Sequence, residues 1–250
     1  MLGRSTTAVL LASIVLLGLS AAASASPAVT LTVKPLPIAG FPGTGDFLGA
    51  GFEVETQATI SGTEYGGFPS PLTGINFYTP VGIKITPEGF ATCPATLLEA
   101  SGPQECPKNS SAGPVGIGLG VVAFGGEEVH EQVSIRSFFA TNGLVFYVEG
   151  TAPVSLQFVE PAHYVSAQPP FGKELVIEVP LVETVPGAPD ASVTGFKVKV
   201  GAAYKKGKKT ISYITQPKKC PKGGFPVKME LEFLSGETTT VEEKVPCPKR

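Results

Sequence analysis

The stretch Val227-Lys228-Met229-Glu230-Leu231-Glu232-Phe233 alternates apolar and charged residues without a break. A period of two places the apolar side chains on one face of an extended strand and the charged ones on the other. The same alternation recurs over 52–60 and 196–200. Further candidate strands cover 29–33, 75–78, 81–85, 115–124, 133–139, 144–148, 154–159, 175–182 and 210–214. We therefore predict an all-β fold, an antiparallel two-layer sandwich that is jelly-roll-like.

The composition agrees with many short strands and few helices. The 250 residues include 30 glycines and 24 prolines, which is too many for long helices. Apolar residues make up 42% and charged residues 16% of the chain, and this balance excludes a disordered protein. One segment, 94–100, has a helical pattern that starts with a proline and stops at Gly102-Pro103. We predict one short helix there.

The first residues of the chain predict export. Arg4 is followed by an apolar run over 8–19 and by three small residues at 23–25. This is the pattern of a secretory signal peptide, which we assign to 1–25. The apolar run is shorter than the roughly 20 residues that a membrane span needs, and no second run follows. We expect a secreted protein with no transmembrane segment in the mature chain.

The rest of the chain has the length of one β-sandwich. We therefore predict a single domain over 26–250. The best candidate for a sub-boundary is 185–190, which is rich in proline and glycine, although so short a segment also serves as a crossover loop. The formal net charge of −2 argues against general binding of nucleic acid, which needs a dominant positive field.

The four cysteines lie in two local pairs, Cys93 with Cys106 and Cys220 with Cys247. Four cysteines allow three connectivities, and we prefer the one that joins near neighbours in an oxidising compartment. By the loop-entropy model the two bridges would stabilise the fold by about 3 and about 3.5 kcal/mol. Neither pair has Cys-x-x-Cys spacing and no histidine lies close in sequence, so we expect disulfides and no metal or other cofactor.

Several motifs around the cysteines carry a resemblance to a known group of proteins. They are Cys93-Pro94, Gly102-Pro103, Cys106-Pro107 with Ser110 and Gly113, and Lys218-Lys219-Cys220-Pro221-Lys222-Gly223-Gly224-Phe225-Pro226. On these motifs most of the mature chain resembles uncharacterised secreted proteins of soil actinobacteria. The resemblance implies an exported β-sandwich from a Gram-positive source, and it carries no activity and no ligand.

Candidate catalytic or phosphate-binding motifs have a simpler interpretation in each case. The glycine-rich run 113–120 lacks the helix and the Lys-Ser/Thr of a P-loop, so we interpret it as a glycine-spaced strand. Glu128 and His130 would share a strand face and could form an acid–base pair or offer two ligands, but a solvated strand edge is the favoured interpretation. His163 stands alone in a predicted loop edge.

Hydrolase signatures are weak. The sequence contains no Gly-x-Ser-x-Gly elbow. Two carboxylate pairs, Glu53 with Glu55 and Glu174 with Glu178, could be proposed for a glycosidase, although carboxylates on alternating strands more often solvate an outer face. We therefore predict a protein that is not an enzyme, with a secreted hydrolase assembled from distant loops as the alternative.

Charge is distributed unevenly along the chain. Residues 191–229 carry ten lysines and no acidic residue, whereas 26–190 carry five basic and sixteen acidic residues. Such asymmetry either forms a surface for an anionic partner or is neutralised by basic strands that lie beside acidic ones. Both interpretations stay open at this point. The candidate binding residues, at a predicted turn tip, are Lys205, Lys206, Lys208 and Lys209.

Together these observations predict a non-catalytic secreted or envelope-associated β-sandwich module. Its expected partner is an anionic wall polymer or extracellular polysaccharide, because these are the polyanions available outside a Gram-positive cell. A self-associating structural surface protein is a further alternative.

Overall fold

The computed structural model describes residues 26–183 and 186–248. The predicted signal peptide, 1–25, lies outside the described residues. The described part contains fifteen β-strands, one α-helix and one 3-10 helix at Pro103–Glu105. The strands and the helix are β1 (Ala28–Leu36), β2 (Glu53–Ser61), β3 (Leu72–Pro80), β4 (Lys84–Ile85), α1 (Ala95–Ser101), β5 (Gly116–Phe124), β6 (Glu127–Ala140), β7 (Gly143–Gly150), β8 (Leu156–Ser166), β9 (Phe171–Glu178), β10 (Ser192–Val200), β11 (Ala203–Lys206), β12 (Lys209–Ser212), β13 (Ile214–Thr215), β14 (Phe225–Phe233) and β15 (Thr238–Val245).

Eleven of these strands form one antiparallel sheet. Its order is β1-β2-β10-β5-β6-β7-β8-β9-β3-β14-β15, and two small sheets, β11-β12 and β13-β4, complete the structure. The predicted all-β antiparallel fold with one short helix is confirmed. The opposing layers belong to one continuous, barrel-like sheet that coils until it nearly closes, so its opposite walls bury a shared core.

The two edge strands, β1 and β15, meet at the seam of this sheet. Neighbouring strands run in opposite directions and the sheet has eleven of them, so the two edge strands run in the same direction. For this reason β1 and β15 cannot pair with each other as antiparallel neighbours. Side chains join them instead: the Val33 N–H donates to Glu243 Oε2 at 2.8 Å, and Thr239 Oγ1 donates to the Pro27 carbonyl at 3.0 Å. Both bonds satisfy backbone groups on the β1 side of the seam that would otherwise be unpaired.

The core fills the inside of the coiled sheet, and the alternation in the sequence explains which residues reach it. The inward face of β14 contributes Met229 and Leu231, which are 1% and 0% exposed. Other buried members are Phe52, which lies just before β2, and residues of five further strands, namely Ala58, Ile60, Phe139, Leu144, Phe146, Leu175, Ile177 and Val200. Charged residues between them point outward, as a half-buried strand requires.

Helix α1 packs on the outside of the sheet. Leu98 is fully buried against Phe138, Val145 and Tyr147, which project from the outer faces of β6 and β7. Strand β7 is therefore buried on both faces over most of its length, and for this reason 144–148 is continuously apolar rather than alternating. The Cys93–Cys106 disulfide closes the loop that carries the helix.

The predicted sub-boundary at 185–190 lies in the connection between β9 and β10, of which 184 and 185 lie outside the described residues. Strand β9 pairs with β8 and β3, and β10 pairs with β2 and β5. The division into domains stays a prediction. In the part of the chain described here, no helix combines the length and hydropathy needed to cross a membrane.

Candidate functional site

The antiparallel sheet sorts the connections between its strands into two ends. The end that we call the basic end holds the connections that follow β1, β3, β6, β8 and β10. Its lysines are Lys84, Lys108, Lys205, Lys206, Lys208, Lys209, Lys218, Lys219 and Lys222. The other end, which we call the acidic end, holds the connections that follow β2, β5, β7, β9 and β14. Those five connections contain Glu64, Glu183, Asp190 and Glu237 and no lysine or arginine.

A hairpin formed by β11 and β12 projects from the basic end and is held at its base by aromatic packing. The Tyr204 ring meets Phe90 edge-on at 5.1 Å between centroids, and its hydroxyl donates to the Glu88 carbonyl at 3.1 Å. Phe90 also contacts Tyr213 and Phe139 of the core. The hairpin is thus a fixed feature of the fold, and its tip is positioned by the core beneath it.

The tip of this hairpin concentrates positive charge. Lys206 and Lys209 lie directly opposite each other on the two strands, joined by Gly207-Lys208 with Gly207 at φ 61°. The four lysines are exposed, and Lys205 Nζ donates to Thr210 Oγ1 at 2.8 Å. Like charges opposite each other in a hairpin destabilise it. Within the described residues no carboxylate forms an ion pair with any of the four.

Three more lysines, Lys218, Lys219 and Lys222, lie at the same end, near the Cys220–Cys247 disulfide. The preceding Pro217 accepts a bond from the Gly49 N–H at 3.2 Å, which ties this segment to the β1–β2 loop. That loop also presents Phe47 and Leu48, which are 48% and 41% exposed. The basic end therefore offers seven lysines of one connection beside two exposed apolar side chains. We call Lys205, Lys206, Lys208, Lys209, Lys218, Lys219 and Lys222 the lysine cluster.

The other three lysines of 191–229 lie on strands and are neutralised by neighbouring carboxylates. Lys197 Nζ is 3.2 Å from Glu55 Oε2, and Lys199 Nζ is 3.7 Å from the same oxygen. Lys199 Nζ also lies 3.8 Å from Glu53 Oε1. Lys228 Nζ donates to Glu230 Oε1 at 2.6 Å. Lys197, Lys199 and Lys228 thus fit the interpretation that basic and acidic residues neutralise each other within the sheet. The lysine cluster fits the interpretation of an exposed basic surface.

Burial and neighbours shift the carboxyl groups of these pairs in different directions. Burial raises the pKa of Glu53, and the nearby Lys199 offsets only part of that rise. Burial also acts against the charge of Glu230, but hydrogen bonds from Lys228 and Tyr78 outweigh it and hold the pKa of Glu230 below its usual value. Salt bridges of this kind position strands and leave little charge free for a ligand.

The glycine run and the two histidines have structural surroundings that do not resemble an active site. The glycines fall in β5 and in the turn before it, and a β-carbon on Gly116 would come 2.6 Å from the Lys197 carbonyl oxygen of β10. Close strand approach thus accounts for glycine there. His130 Nε2 lies 3.5 Å from Glu128 Oε2, with both side chains mostly exposed. The predicted loop edge at His163 is wrong: this residue lies within β8, paired with Gly143 and Val176, and its side chain is exposed on the outside of the sheet.

The carboxylate pairs considered for a glycosidase are not brought together across a cleft. Glu53 and Glu55 face outward on β2 against Lys197 and Lys199. Glu174 pairs in register with Tyr78, and Glu178 is exposed near the other end of β9. The described residues contain no group of three or more side chains arranged to hold a metal ion. The hydrolase alternative gains no support from these residues.

Sequence reasoning missed two carboxylates on the inner face of the sheet. Glu160 lies on β8 directly opposite the buried Phe146, and Glu131 lies on the inner face of β6 opposite Gly120. Burial raises the pKa of Glu160 to about 8 and also raises that of Glu131. The sequence does contain a sign of the position of Glu160. It falls on the same strand face as four apolar or aromatic residues at alternate positions, which are Leu156, Phe158, Ala162 and Tyr164.

The chain was compared with protein-family models, with curated proteins and with solved structures, and it matches none of them.

Proposed function

We propose that this protein is an exported, non-catalytic module that binds an anionic wall polymer or polysaccharide through its basic end. One observation carries the proposal: the seven lysines of the lysine cluster share one end of the sheet and have no ion pair within the described residues. Exposed charges of one sign attract a polyanion and are screened by salt.

The hairpin tip adds a structural argument. Placing Lys206 opposite Lys209 lowers the stability of the hairpin, and no ion pair within the described residues offsets this cost. An anionic group between the two strands would relieve this repulsion. The aromatic base of the hairpin fixes the backbone that carries these lysines, so binding needs no rearrangement of the hairpin itself.

Two further features fit an exported binding module. The Cys93–Cys106 and Cys220–Cys247 disulfides are typical of proteins in oxidising compartments. The exposed Phe47 beside the cluster offers an aromatic surface for a sugar ring of the polymer.

The test is retention on immobilised dextran sulfate, with uncharged dextran as the blank. We expect the protein to be retained at low salt and released as salt is added, because counterions compete for the same charges. Replacing Lys205, Lys206, Lys208 and Lys209 by glutamine should weaken binding by at least about tenfold.

A matched variant separates a local site from overall charge. Replacing Thr151, Ser155, Gln157 and Thr238 by glutamate lowers the net charge by the same four units at exposed positions of the acidic end. We expect this variant to keep most of its binding. Equal losses in the two variants, or retention that does not weaken with salt, would refute the proposed site.

A further inference from the structure

The inside of the coiled sheet contains a cavity at the acidic end. Its volume is about 140 Å³, and apolar side chains from β6, β7, β8, β9 and β10 line most of it. The exposed Pro180 also lines it, so the cavity reaches toward the surface at this end. Apolar cavities of about this size hold one benzene molecule. The space therefore suits the apolar part of a small ligand.

Strand β5 explains why the cavity exists. Its inward positions Gly116, Gly118 and Gly120 carry no side chains, and the last two line the cavity. The opposite wall is made of ordinary large residues such as Phe146 and Phe158. A wall of glycine against a wall of large apolar residues leaves room that a well-packed interior would fill.

Two carboxyl groups face this apolar cavity, and neither has a basic partner in the described structure. Glu160 lines the cavity, is only partly accessible to solvent, and makes no hydrogen bond within the described residues. Glu131 Oε2 accepts a bond from the Val154 N–H at 3.3 Å, while its buried Oε1 has no partner there. A buried carboxyl without a partner is costly for a fold to keep.

The surroundings of the cavity are acidic as well. The connections at this end contain four acidic residues and no basic one, and Glu127 and Glu128 flank the β5–β6 turn beside it. Among the residues that the structure describes, the other titratable groups facing the lumen are Tyr164 on β8 and Tyr213, which lie deeper toward the basic end. No lysine, arginine or histidine lines the cavity among the described residues. The local field thus favours a cation.

We infer that this cavity is a binding site for a small apolar primary amine, whose hydrocarbon part fills the space beside β5 and whose ammonium group meets Glu160. The ammonium group would supply the hydrogen-bond donors and the positive charge that Glu160 lacks. Glu131 lies farther toward the acidic end, because Glu160 is level with Ser137 of β6, six residues beyond Glu131. Its carboxylate would add to the negative field of the cavity without touching the ammonium group. A second cavity of about 90 Å³ shares Phe146, Ile177 and Phe196 with the first, so a longer tail could continue along the lumen.

The experiment is calorimetric titration of the disulfide-bonded protein with benzylamine, benzyl alcohol and benzoate, which share one ring and differ in the charge of the head group. We expect one site for benzylamine, with binding at least about tenfold tighter than for benzyl alcohol near pH 8.5. Benzoate should not bind. Benzyl alcohol binding as tightly as benzylamine would show a purely apolar cavity and would overturn the inference.

The Glu160→Gln variant tests the carboxyl itself. It should weaken benzylamine binding at least about tenfold and leave benzyl alcohol binding unchanged. Glu131→Gln should give a smaller loss. The control is Glu178→Gln, which removes an exposed outward carboxylate at the same end and should change little. Because Gln has the shape of Glu and needs no charge in the cavity, we expect Glu160→Gln to fold, and a thermal melt checks this.

The dependence of benzylamine binding on pH gives an independent readout. Glu160 holds a proton up to about pH 8, and this proton must leave before the ion pair forms. Affinity should therefore fall roughly tenfold for each pH unit below that value, while benzylammonium keeps its own charge. A flat pH profile with wild-type protein, or equal affinity for wild type and Glu160→Gln, would refute the assignment of Glu160.

Discussion

The two faces of the same sheet hold carboxyl groups in opposite ways. On the outer face, Glu55 of β2 lies between Lys197 and Lys199 of β10, so its charge is matched by its neighbours. On the inner face, Glu160 lies opposite Phe146 and has no basic neighbour among the described residues. Glu55 on the outer face therefore supports the fold through its two lysines, whereas Glu160 inside opposes folding once it ionises. A residue that opposes folding is a stronger indication of function than one that supports it.

The largest expected effect is the pH dependence of stability that Glu160 causes, and it tests the difference between the two faces directly. Its folded pKa of about 8 lies above the usual 4.5, so its contribution to stability is complete below about pH 4.5 and is lost as pH rises through 8. We expect the free energy of unfolding to fall by on the order of 4 kcal/mol between about pH 5 and pH 9.

Urea unfolding of wild type and Glu160→Gln across this pH range measures the effect. The variant should lose most of the slope and keep a smaller one, since burial raises the pKa of Glu131 in the same direction. Parallel curves for the two proteins would mean that Glu160 reaches solvent in the folded state.

The second prediction tests the packing of the inner face with two glycine-to-alanine substitutions in β5, each of which adds one methyl group. A β-carbon on Gly118 would lie 2.7 Å from Val133 Cγ2, so Gly118→Ala should destabilise the protein by about 1–3 kcal/mol. A β-carbon on Gly120 would meet the Ser192 carbonyl oxygen at 3.4 Å, an ordinary contact. Gly120→Ala should therefore stabilise by about 0.5 kcal/mol. Equal effects of the two substitutions in a denaturant titration would contradict the position of the cavity.

Local patterns predict the parts of this fold that depend on neighbours in sequence. The alternation of 227–233 corresponds to β14 (Phe225–Phe233), and the proline and glycine around 94–100 correspond to α1 (Ala95–Ser101). The disulfide pairs follow from short spacing, and both are present. Each of these features is decided within a few residues, by side-chain period, capping or loop length.

Strand order is decided over long distances and could not be predicted in the same way. Strand β10 lies between β2 and β5, and this placement puts Lys197 beside Glu55, far away in sequence. Which lysines are neutralised and which are free therefore depends on pairing that no local pattern contains. The parity of Glu160 within β8 was readable, but its meaning required knowing that this face is the inner one.

The third prediction tests the outer face with the same type of substitution as the first. Glu55→Gln leaves Lys197 and Lys199 without their shared partner, so we expect a loss of about 1 kcal/mol in the free energy of unfolding near neutral pH. The same chemical change thus stabilises at Glu160 above pH 8 and destabilises at Glu55. The control is Glu178→Gln, an exposed residue whose replacement should stay within about 0.5 kcal/mol. If Glu55→Gln stabilised the protein, the carboxylate of Glu55 would oppose folding as that of Glu160 does, and the proposed difference between the two faces would be wrong.

The smallest expected effect concerns lysines at two places on the outside of the sheet. Lys206→Gln removes one of two like charges that oppose each other at the hairpin tip, so it should stabilise the protein by a few tenths of a kcal/mol. Lys197→Gln removes a partner of Glu55 and should destabilise it by a similar or larger amount. Both effects should shrink in high salt, because the groups are partly or fully exposed.

Thermal melts at low and high salt distinguish the two lysines. Suppose that the two stability changes have opposite signs at low salt and approach each other at high salt. Lys197 would then stabilise the fold through its charge, and Lys206 would destabilise it. A destabilising Lys206→Gln would mean instead that the tip lysines have a structural partner, and the proposed binding surface would lose its main support. The sign of this small change therefore bears directly on the function of the basic end.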